Sequence, residues 1–121
     1  MYVIHDPDPA RGRTAEQQRR YDAARAAVTR LFDTVQYEYA RATELDTRGD
    51  DHPLTVHERF ELASRCAALA TAFDHAADIW ENVQAEPELA ITAAYRQQAR
   101  DLRDADALHT AVAEIAPVGR A

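Results

Sequence analysis

The sequence predicts an all-α protein: an antiparallel three-helix up-down-up bundle preceded by a short extended N-terminal arm. Three observations carry that prediction. Apolar residues recur at steps of three and four through residues 15–48, 55–84 and 87–116, the spacing that holds side chains on one face of an α-helix. No glycine and no internal proline interrupts these stretches, while Gly49, Pro53 and Pro87 stand at their junctions, where helix breakers belong. No segment alternates apolar and polar residues as a half-buried strand would.

Residues 1–13 are expected to form the arm. Tyr2-Val3-Ile4 reads as extended, and in His5-Asp6-Pro7-Asp8-Pro9 each proline restricts the residue before it and excludes a helix. The first helix, 15–48, opens at Thr14-Ala15-Glu16-Gln17. This is a capping box, in which the threonine oxygen accepts from a first-turn amide and Gln17 reaches back to the cap. Its inward stripe runs Tyr21, Ala24, Val28, Leu31, Val35, Glu38, Ala42, Leu45 and is interrupted only by Glu38. Gly49 is expected to close it in the left-handed conformation, with Arg48 at the negative pole of the helix dipole. Arg19 with Asp22, Arg30 with Asp33 and Arg41 with Glu44 recur every eleven residues. Eleven residues are three turns, so these pairs should line one face.

Pro53 occupies the polar turn that follows. A second capping box, Thr55-Val56-His57-Glu58, opens the second helix, 55–84. One stripe on it runs Val56, Phe60, Ala63, Ala67, Ala70, Ala77, and another runs Leu62, Cys66, Leu69, Phe73, Ala76, Trp80, Val83. Two stripes imply two neighbours, so this helix is expected in the middle. Pro87 ends it and suits the first position of the third helix, 87–116, because its missing amide has no helical acceptor there. Ile91, Tyr95, Ala99, Leu102, His109 and Val112 continue the spacing. Residues 14–116 are read as one bundle and 117–121 as a tail.

Composition narrows the chemistry. Three glycines supply no glycine-rich loop to place amides around a phosphate. The chain has no lysine, which removes Schiff-base chemistry, and one cysteine, which makes neither an internal disulfide nor a thiolate-rich zinc site. No cofactor and no metal is expected. Met1 to Arg13 lacks the form of a signal peptide and no apolar run is long enough to span a bilayer, so a cytoplasmic protein without membrane contact is expected. The net charge is −7, carried by the second and third helices, which disfavours a nucleic-acid partner despite the arginines at the start of the first helix.

Two sets of residues stand out. Glu38 and His109 fall where the spacing calls for apolar side chains, and counting back from the turns sets Glu38 and Tyr39 level with residues 63–66 and with His109. Such a buried polar layer either fixes the register of the helices or works as an acid and base pair. Leu62, Leu69, Phe73 and Trp80 belong to the core unless they face outward together, in which case they form an interface. His57 and His75 lie 18 residues apart, too far along one helix to share an ion, and read as solvated positions with Glu61 and Asp78 as their local acids. The reading that follows is a non-enzymatic, self-associating protein-protein interaction module, with a homodimer or another protein as partner. The alternatives are a small helical enzyme or ligand carrier built on Glu38 and His109, and an acidic decoy that occupies a nucleic-acid-binding protein.

Overall fold

A computed structural model describes residues 14–115, and all the regular structure among them is helical: α1 (Ala15–Thr34), α2 (Gln36–Asp51), α3 (Val56–Glu81) and α4 (Glu86–Ile115). The expected arm, residues 1–13, and the tail, 117–121, lie outside the described residues. Both capping boxes form as expected, with Thr14 and Gln17 bonding reciprocally at the head of α1 and Thr55 and Glu58 at the head of α3.

There are four helices rather than three, because the expected first helix is interrupted at Val35. The hydroxyl of Thr34 donates to the carbonyl of Leu31 at 2.6 Å, the acceptor that the Val35 amide would use in a continuous helix. The Val35 amide turns instead to Phe32 O at 3.2 Å, and helical bonding resumes with Tyr39 N to Val35 O at 3.0 Å. A hydroxyl bonded back to its own helix thus displaces one rung, a recognised cause of bends.

The other boundaries differ for equally local reasons. Gly49 does not close its helix. It sits inside α2, which continues to Asp51 and stops where His52 takes the extended conformation (φ −135°, ψ 135°) that a following proline favours. Helix α3 ends at Glu81 rather than 84: Val83 N bonds Trp80 O, Gln84 N bonds Glu81 O, and Gln84 adopts φ 58°. That left-handed turn is held against α1, because Gln84 O accepts from Gln17 Nε2 and Gln84 Oε1 accepts from Arg20 Nη1. Helix α4 begins at Glu86, which puts Pro87 at its second position, still within the turn whose amides lack helical acceptors.

Ion pairs and ring contacts set the directions. Phe73 meets Tyr95, and Arg59 meets His109, so α3 and α4 run antiparallel along their longest shared interface. Phe32 meets Phe73, and Arg41 meets Glu61, so α1 and then α2 run antiparallel to α3. Two apolar clusters result. The first joins α1 to the C-terminal half of α3 and the N-terminal half of α4 around Tyr21, Val28, Trp80, Val83 and Tyr95. The second joins α2 to the opposite halves around Ala42, Leu45, Leu62, Cys66 and Leu69. The Val35 interruption lies between them: Phe32 packs on the first cluster and Val35 on the second.

Candidate functional site

Leu45 is wholly buried among Leu62 and its neighbours, and this apolar contact brings the edges of α2 and α3 together. Along that edge lies an ionic chain. Glu61 accepts from Arg41 Nε at 2.8 Å and Arg41 Nη2 at 3.0 Å, a two-point clamp across the helices. Arg65 reaches Glu61 at 3.2 Å on its own helix and Glu38 at 3.0 Å on α2. Arg41 also pairs with Glu44 at 3.1 Å, Arg48 pairs with Glu58, and the Arg65 guanidinium lies 4.8 Å from the centre of the Tyr37 ring. Hydrogen bonds from Arg41, and behind them Arg65, hold the Glu61 carboxyl down at about 2 against the ordinary 4.5; the same contacts push the Arg41 guanidinium up.

Glu38, Tyr39 and His109 are not assembled into one layer. Glu38 does reach residue 65, as its register predicts, but as the partner of an arginine at the α2–α3 edge. Tyr39 is 59 % exposed. His109 bonds to Arg59 at 2.9 Å, and Arg59 lies six residues before Arg65, about 9 Å along the helix. Glu38 does occupy the stripe, and Arg65 of α3 answers its charge there. Arg59, Glu61 and Arg65 are the site residues the periodicity missed; the Glu61–Arg65 spacing of four was the available signal.

Leu62, Leu69, Phe73 and Trp80 take the core positions and do not face outward together. Leu62 is 2 %, Leu69 3 % and Trp80 0 % exposed, while Phe73 packs in a ring cluster with Phe32 at 5.3 Å and Tyr95 at 5.6 Å. These side chains have large apolar area, and α1, α2 and α4 cover it within the chain itself. His57 and His75 are exposed, and their local acids serve elsewhere: Glu61 in the clamp, Asp78 bonded to Arg96 at 2.7 Å. Of the three repeated pairs, Arg41–Glu44 forms, whereas Arg19 turns back to Glu16 and Asp22 accepts from Gln18. Burial, then the carboxylates of Asp106 and Asp46, push the Cys66 thiol up, which keeps it protonated and unreactive.

Among the described residues no cluster of His, Cys, Asp and Glu has the grouping of a metal site, and no helix is long and apolar enough to cross a membrane. A shallow groove of about 480 Å³ lies between α1 and the end of α3, lined by Arg20, Ala23, Ala24, Ala27, Ile79, Asn82 and Gln84. Six large hydrophobic side chains among the described residues stay exposed: Tyr37, Tyr39, Phe60, Leu89, Leu108 and Ile115 are each 44 % to 69 % exposed. The contacts Glu38–Arg65 and Arg59–His109 set levels along the helices. By those levels all but Leu89 lie in the half of the molecule that contains α2. Compared with known protein families, curated proteins and solved structures, the chain matches none.

Proposed function

We propose that this chain is a non-enzymatic interaction module that associates with a second copy of itself through the half of the molecule built from α2, the start of α3 and the end of α4. One observation carries the reading: the large exposed apolar side chains concentrate in that half. Scattered single exposures are ordinary, whereas a concentration of aromatic and branched side chains at one end favours burial by a partner. Leu108 and Ile115, seven residues apart, lie on one face of α4. Self-association requires no partner beyond the chain itself, and a two-fold axis would set the same patch against its copy.

The acids that face Arg96 give the decoy reading less support. Asp74, Asp78 and Glu81 converge on Arg96, and Asp74 also pairs with Arg103, so part of their charge is answered within the chain.

Light scattering at tens of micromolar should give twice the chain mass of 13.5 kDa. Leu108→Glu with Ile115→Glu should return the protein to a monomer with its helical circular dichroism unchanged. A wild-type monomer, or a dimer indifferent to both charges, would refute the reading.

A further inference from the structure

Arg59 and His109 form a contact whose chemistry constrains the imidazole. An arginine carries its proton at any working pH, so its Nη1 can only donate. The 2.9 Å contact to His109 Nδ1 therefore requires an unprotonated Nδ1, and the ring proton resides on Nε2. Protonating Nδ1 would set two donors and two positive charges face to face. His109 is partly buried where α2, α3 and α4 meet. Arg59 faces it from α3, Asp46 from α2 and Asp106 from its own helix, with Asp106 accepting from Thr110 at 3.2 Å.

The two carboxylates favour the charged imidazole. Burial and Arg59 oppose it and prevail, so His109 titrates below its ordinary 6.5. Asp46 and Asp106 act as a counterweight that limits this lowering. Arg59 has no carboxylate partner among the described residues, so its hold on α4 depends on the imidazole alone.

We propose that the Arg59–His109 contact is a pH-sensitive latch that ties the C-terminal third of α4 to the start of α3 and releases it on acidification. A depressed histidine stabilises the fold fully above the unfolded-state value of 6.5, and the contribution is lost as the pH falls through the lower folded-state value. Release loosens the turns that carry Leu108 and Ile115. The latch is read from these contacts alone and stands whether or not that end of the molecule has a partner.

Proton NMR titration of the full chain tests it, with the His109 ring assigned by its disappearance in His109→Gln. The His109 midpoint should lie below that of the same chain unfolded in urea, and Arg59→Leu should raise it. Should Arg59→Leu fail to fold, a second comparison decides: Gln offers Arg59 a non-titrating acceptor, so wild type should lose stability relative to His109→Gln between pH 7.5 and pH 5. A midpoint at or above the unfolded value, or a stability difference that does not change with pH, would overturn the latch.

Discussion

Glu38 and Glu61 show how little a residue's place on a stripe says about its importance. Glu38 interrupts the apolar spacing and draws the eye, yet it is one of two acids on Arg65, which keeps Glu61 if Glu38 is lost. Glu38→Leu should change stability by no more than about 1 kcal/mol in urea melts, the usual range for incompletely buried pairs. Glu61 sits at the fork between Arg41 and Arg65 and is the costlier loss. Its carboxyl is held at about 2 against 4.5, so its stabilisation is complete above pH 4.5 and vanishes as the pH falls from there through about 2. Glu61→Gln should flatten the stability profile across that window, measured by urea melts at stepped pH. A sequence shows the acid on a helix face; it does not show which of several arginines the partner helix will bring to it. That is why Glu38 was legible as unusual while its pairing, and the separation of His109 from it, were not.

At the scale of elements, the features written in local chemistry were the readable ones. Capping boxes act within four residues, and both were found at Thr14 and Thr55. The interruption at Val35 escaped notice because the apolar spacing runs through it and no proline or glycine marks it; its cause is the hydroxyl of Thr34, a bond that a sequence leaves optional. Gly49 misled in the opposite direction, since glycine signals a helix end only if its backbone turns left-handed, and Pro53 had already set the end two residues further on. This yields a prediction against intuition. Gly49 is helical, and a methyl group there meets only the Leu54 side chain at 3.4 Å or more. Gly49→Ala should therefore stabilise the protein by about 0.5–1 kcal/mol in denaturant titration, the cost of glycine in a helix interior.

Taken whole, the molecule is a long antiparallel pair, α3 and α4, with α1 and α2 laid against its two halves in turn. The pair shares far more contact than either shorter helix has with it. Local opening is governed by such differences in buried contact. Native-state hydrogen exchange should therefore find the slowest amides in the central turns of α3 and α4, and faster exchange in α1 and α2. Equal protection across all four helices would refute that hierarchy.

The first apolar cluster has a practical consequence for anyone following unfolding by light. The chain's single tryptophan, Trp80, is sealed beside Tyr21 with ring centres 5.5 Å apart, so its emission reports on the α1 end and is blind to the rest. A fluorescence melt that fails to superimpose on a far-ultraviolet ellipticity melt would expose the two ends as separately cooperative, without a single label being added.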